Sequence, residues 1–184
     1  ALTMEVISGY DEKDSTSLKD NVDSYTKYID KDVKKLKIGV VKESLSNDID
    51  DSVKKHVWNG VKKLESLGCS YKEVSLPVSI KNGITTYYII APSEASTNLA
   101  KFCGMRYGAA EELKGNFDEY FTNVRSKNFG KEAKRRIMLG TFARMSGFRD
   151  AYYIKAAKVR TLITEEYKKA FKNFDVLISP TVSI

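Results

Sequence analysis

The chain has 184 residues, of which 42% are apolar, enough to build and bury the core of one ordinary domain, so disorder is not the default. No run of about 18 uncharged apolar residues occurs, which excludes a membrane-spanning helix, and the opening ALTMEVISGYDEKDSTS lacks the basic-then-apolar order of a signal peptide. The net charge of +7 favours an anionic partner such as nucleic acid, but its lysines are spread through alternating stretches like DKDVKKLK and EEYKKAFKN, the usual dress of a helix surface.

The chain starts without methionine and in mid-pattern, which is expected of a piece cut from a longer protein. Leu2, Met4, Val6 and Ile7, followed by Gly9, predict the last turns of a helix with a glycine C-cap. GYDEKDSTS then reads as a loop, because its Asp, Ser and Thr side chains bond nearby backbone. A short helix is expected over 24–29. LKIGVV, with Ile38, Val40 and Val41, reads as a buried parallel strand. Asp48 or Asp50 can cap a helix whose apolar positions Val53, Val57, Val61, Leu64 and Leu67 recur every three or four residues until Gly68. A second strand over 70–76, halted by Pro77, completes a strand, helix, strand unit with parallel strands and a right-handed crossover.

Beyond Ser79 the pattern is helical: 84–102, kinked or started by Pro92, then 117–124, 131–146 and 150–171. DVLIS at 175–179 is a last short strand stopped by Pro180. No repeat, low-complexity tract or linker marks an internal boundary, so residues 1–184 read as one α/β unit with helices covering a largely parallel sheet.

Local motifs for chemistry are sparse. There is no GxSxG elbow, phosphate loop, dinucleotide fingerprint or HExxH, and Cys69, Cys103 and the single His56 cannot assemble a zinc set. The two thiols are expected to be reduced. Serine activated by a lysine of lowered pKa is the sensible remaining hydrolytic chemistry, but no spacing identifies such a pair.

Two segments stand out. In TTYYIIAPSEASTNLAKF, polar Ser93, Glu94, Ser96, Thr97 and Asn98 crowd an otherwise apolar helix; they either line a site or cap a helix that begins at Pro92. In FGKEAKRRIMLGTFARMSG, the consecutive Arg135 and Arg136 sit about 100° apart on a helix, so one lies nearer the core. Arg136 either points inward at a carboxylate or pairs with Glu132 at i, i+4.

GYDEKDSTS, YYIIAPSEASTNLAKF, RSKNFGKEAKRRIMLGTF, DAYYIKAAKVRTLI and DVLISPT together resemble, in that order, the amidase signature family, and within it the A subunits of glutamyl-tRNA(Gln) amidotransferases, of which GKEAKRRIMLGT is most typical. The resemblance covers almost the whole chain. It implies a partial amidase-signature fold with a mixed, largely parallel sheet flanked by helices. It also implies a serine, cis-serine and lysine triad that hydrolyses glutamine, with a glycine-serine loop as oxyanion hole. The released ammonia would pass to the amidotransferase's B subunit, which uses ATP and Mg to amidate Glu-tRNA(Gln), in a complex that also holds a C subunit. No cofactor is expected in the A subunit itself. The family's triad precedes the point where this chain begins, so no catalytic residue is expected here and the chain alone should be inactive.

What the resemblance leaves is part of the glutamine pocket: Tyr87, the first of the tyrosine pair, as a substrate contact, and Arg136, the second arginine of KRR, as partner of the α-carboxylate. The loop after SPT would add further pocket residues. The family places the protein in the cytoplasm, or in an organelle if the source is eukaryotic, with no membrane partner. Departures are Cys103 where FDGxRYG has aspartate, Lys101 for a common arginine, SPTVSI for SPTTP, and ARMSGFRDAYY for ALSSGYYDAYY. Two other readings stay open: a piece of a stand-alone amidase acting on another amide, and a basic tRNA-binding module.

Overall fold

A computed structural model describes residues 1–182, so the final two positions of SPTVSI, and with them the pocket loop expected after SPT, lie outside the described residues. Three strands form one parallel sheet in the order β2-β1-β3: β1 (Lys37–Val41), β2 (Ser70–Val74) and β3 (Val176–Ile178). Among the described residues six α-helices accompany it: α1 (Leu2–Ile7), α2 (Asp51–Ser66), α3 (Pro77–Asn98), α4 (Phe117–Asn128), α5 (Lys131–Arg144) and α6 (Lys155–Ala170). This is the α/β architecture expected.

β1 is central because its side chains suit burial on both faces. Ile38 and Val40 enter a core with Val61 of α2, Cys69 and the flanking Trp58 and Leu64, while Val41 packs on the other face with Leu76 and Ala170 of α6. Gly39 leaves space that Leu177 and Phe174 fill: a Cβ there would approach the Leu177 side chain to 2.6 Å. Asp175 ties β3 to β1 through both backbone groups of Lys37, its amide donating to the Lys37 carbonyl (2.8 Å) and its carboxylate accepting from the Lys37 amide (2.8 Å).

α2 carries the caps its sequence asks for. Of the two candidates Asp50 is the N-cap, its side chain accepting from the Ser52 amide at 2.8 Å. At the other end Gly68, at φ +95°, lets its amide reach the Glu65 carbonyl and the Cys69 amide the Leu64 carbonyl, a Schellman closure reinforced by Cys69 and Leu64 sharing one core.

Several local expectations need correction. The 24–29 helix is a single 3₁₀ turn, Tyr25–Tyr28. α1 ends in an extended Ser8, with Gly9 at φ +139°, in place of a left-handed glycine cap. β2 ends at Val74, short of the 76 expected, and α3 begins at Pro77 and continues through Pro92, so Pro77 occupies the first helical turn, where its missing N–H costs nothing. The cap comes from outside: the Glu166 carboxylate of α6 accepts from the amides of Val78 (3.0 Å) and Ser79 (2.8 Å). α4 is a turn longer than expected and opens on a reciprocal Asn116–Glu119 capping box. The helix expected over 150–171 starts with a wide π turn, Asp150–Ile154, before continuing as α6.

The accessible surface is 13,903 Å², against about 9,000 Å² for a compact monomer of 20.8 kDa. Much of the surplus is apolar: Ile84, Met138, Leu139, Phe142 and Phe148, on or beside α3 and α5, are all exposed.

Candidate functional site

The site is built where α3 and α5 lie side by side. Contact is so close at one point that no side chain fits: a Cβ on Gly140 would land on the Pro92 carbonyl and come within 2.7 Å of the Ser93 nitrogen. Pro92 lacks the amide that would bond Tyr88, and Ser93 turns its hydroxyl back on the Ile89 carbonyl at 2.6 Å. Ser93 is completely buried, and Ser96 beside it donates to the Ser93 carbonyl at 2.8 Å.

The polar cluster therefore divides. Ser93 and Ser96 satisfy themselves within α3 at its buried face, whereas Glu94, Thr97 and Asn98 are exposed, with Glu94 3.9 Å from Arg160 of α6. Ser93 lies well inside α3, toward its C-terminal end, which overturns the reading of it as an N-terminal cap.

About one turn before the Gly140 contact on α5, and a little more before Pro92 on α3, the same two helices bring Arg136 to Tyr87. The Arg136 Nη1 donates to the Tyr87 hydroxyl at 3.3 Å across 49 residues of sequence. Tyr87 stands edge-on to Tyr88, with ring centroids 5.4 Å apart. The Arg136 side chain is 35% exposed against 50% for Arg135, so it is the more sheltered of the two.

Glu132 holds both arginines. Its Oε2 accepts from Arg135 Nε (2.8 Å), while Oε1 accepts from Arg135 Nη2 (2.7 Å) and from Arg136 Nε (2.8 Å). Hydrogen bonds first from Arg135 and then from Arg136 lower the Glu132 pKa to about 2. The Arg136 guanidinium is shifted upward, by Glu132 first and the Tyr87 hydroxyl second, so it is always charged. The arrangement is a guanidinium fork beside a phenol, with charge to spare: two cations share one carboxylate. It can bind an anion of planar, two-oxygen form.

No spacing rule could have placed Tyr87 against Arg136. The role of Glu132 is half visible in sequence, because Arg136 lies one turn beyond it, but nothing local marks Arg135 at i, i+3 as the partner with the two-point grip. Cys103 precedes a loop that turns at Gly104 (φ +82°) and Gly108 (φ +84°), with the Gly104 carbonyl accepting from the Tyr120 hydroxyl at 3.2 Å. A groove of about 540 Å³ between α4 and α5, lined by Phe121, Arg125, Phe129, Lys134 and Met138, borders neither Tyr87 nor Arg136. Both cysteines are free thiols, and among the described residues no cluster of metal-ligating side chains occurs. No helix among them is long and apolar enough to cross a membrane.

Comparison with known proteins gives this geometry a context. The Amidase family profile matches residues 1–184. The chain is 51% identical, over 98% of its length, to the A subunits of the glutamyl-tRNA(Gln) amidotransferases of Halothermothrix orenii and of Streptococcus mutans, covering 38% and 37% of those proteins. It thus spans little more than a third of the curated relatives it matches. The crystal structure of the corresponding protein from Thermotoga maritima superimposes with a TM-score of 0.65 at 34% identity, covering 98% of this chain and 34% of that one. A bacterial aryl acylamidase of the amidase signature enzymes shares the fold, with a TM-score of 0.68 at 20% identity, over 100% of this chain and 34% of its own.

Proposed function

Because the chain belongs to the amidase family, we propose that it is a portion of the glutamine-hydrolysing A subunit of a glutamyl-tRNA(Gln) amidotransferase, and that Tyr87 and Arg136 border its glutamine pocket. The observation that carries this is the 3.3 Å approach of Arg136 to Tyr87, two residues that the resemblance to these A subunits assigns to one pocket and that 49 residues separate in sequence. The relatives at 51% identity are named as amidotransferase A subunits, which favours this parent over a stand-alone amidase.

In this reading Arg136 offers its Nη edge to the glutamine α-carboxylate, and the Tyr87 hydroxyl fixes the lateral position of that fork. The γ-amide is thereby held toward a serine nucleophile, with its second serine and lysine, that the rest of the parent supplies. Ammonia released on acylation serves the B subunit, which amidates Glu-tRNA(Gln) with ATP and Mg, and the C subunit completes the complex. This part of the parent needs no cofactor of its own. The 1–184 stretch acts as one unit of the amidase domain, at work in the cytoplasm or in an organelle.

Two assays test the proposal. Glutamine added to this chain alone should release no ammonia, and ammonia release would overturn the assignment of the triad to the rest of the parent. The full-length protein with its partners should convert Glu-tRNA(Gln) to Gln-tRNA(Gln); hydrolysis of amides without any tRNA-dependent amidation would instead identify a stand-alone amidase. Salt-sensitive tRNA binding by the isolated chain, the mark of a basic binding module, is not expected.

A further inference from the structure

Glu132 spends its two oxygens unequally. Arg135 takes a two-point grip on the carboxylate, through Nε on Oε2 and Nη2 on Oε1, and so fixes its plane. Arg136 reaches only Oε1, and only through Nε. Its Nη1 touches the Tyr87 hydroxyl, and among the described residues its Nη2 has no hydrogen-bond partner. A carboxylate alone with one arginine favours the two-point fork, which would consume the binding edge of Arg136. Arg135 prevents this by occupying that fork itself. The trio keeps one net positive charge, and Arg136, the more sheltered of its two cations, keeps unspent donors at its Nη end beside the Tyr87 hydroxyl.

We infer that Glu132 is a positioning residue: clamped by Arg135, it grips Arg136 by Nε and aims the Nη1–Nη2 end past the Tyr87 hydroxyl at the substrate carboxylate. This rests on the pocket proposed above but assigns a role to two residues outside it. An arginine has several rotatable bonds, and holding it at Nε and Nη1 leaves the fork pre-oriented before substrate arrives.

The test is a double-mutant cycle on glutamine hydrolysis by the full-length protein in its complex. Glu132→Gln is expected to raise KM for glutamine on the order of tenfold, the coupling usual within one ionic network, while kcat changes less than about twofold. Glu132→Asp keeps the charge but withdraws the carboxylate by one methylene, and it should raise KM as well. In a background of Arg136→Lys, which itself raises KM, Glu132→Gln should add less than about twofold, because the residue it positions is gone. If Arg136→Lys raises KM but neither Glu132 variant does, or if the effects multiply in full, the positioning role is overturned and the pocket stands. If Arg136→Lys leaves KM unchanged, the pocket itself is wrong.

Discussion

The carbonyl of Pro92 occupies the space that a side chain at Gly140 would need. This single contact sets how closely α3 and α5 approach, and with it the meeting of Tyr87 and Arg136 a turn away. Pro92, which removes a hydrogen bond from its own helix, is tolerated because its ring and carbonyl are packed and buried there.

Gly140→Ala should therefore destabilise the chain by about 1–3 kcal/mol, through overpacking against backbone that cannot rotate aside. Urea unfolding monitored by circular dichroism measures it. Gly60→Ala, where a Cβ meets nothing within 4 Å, serves as the control and should be neutral or stabilising.

Glu166→Ala should cost about 0.5–2 kcal/mol, because the first amides of α3 lose the carboxylate that caps them from α6. Its neighbour Glu165 pairs, among the described residues, with Lys168 on the exposed face, so Glu165→Ala should stay within about 0.5 kcal/mol. Equal effects from the two would deny the cap.

The lowered pKa of Glu132 has a definite sign. A carboxyl whose folded pKa lies at about 2, below the ordinary 4.5, adds stability that is complete above 4.5 and is lost as pH falls toward 2. Carbon-detected NMR titration should place Glu132 well below the exposed glutamates, and Arg135→Ala should move it back upward. High salt should weaken the shift, since the group is open to solvent.

The surplus of exposed apolar surface predicts that the isolated chain self-associates. Light scattering coupled to size exclusion should show oligomers or aggregate, with strong binding of a hydrophobic dye. A monodisperse, cooperatively melting monomer is the contrary result.

The β1–α2–β2 unit was legible in sequence because every signal in it is local: β-branched residues for the strand, apolar positions at helical spacing, Asp50 at one end and Gly68 at the other. α3 was not. Its cap, Glu166, lies 88 residues from Val78, and the packing that permits Pro92 comes from Gly140, so local rules placed its start too late. The 3₁₀ turn at Tyr25–Tyr28 and the π turn at Asp150–Ile154 differ from α-helix only in hydrogen-bond register, which composition does not encode. Tyr87 was reached through resemblance alone, whereas Arg136 also stood out by its place on the helix one turn after Glu132; their proximity is a property of the α3–α5 packing.

The most direct test of the pocket compares glutamine with its α-carboxamide analogue as substrates of the full-length protein, before and after Arg136→Met. With Arg136 present, glutamine should be preferred in kcat/KM by about 10- to 100-fold, as expected for a charge-assisted contact to a carboxylate. With methionine there the preference should collapse toward unity, mainly through loss of glutamine activity. A preference for glutamine that survives the substitution would contradict the assignment of Arg136 to the α-carboxylate.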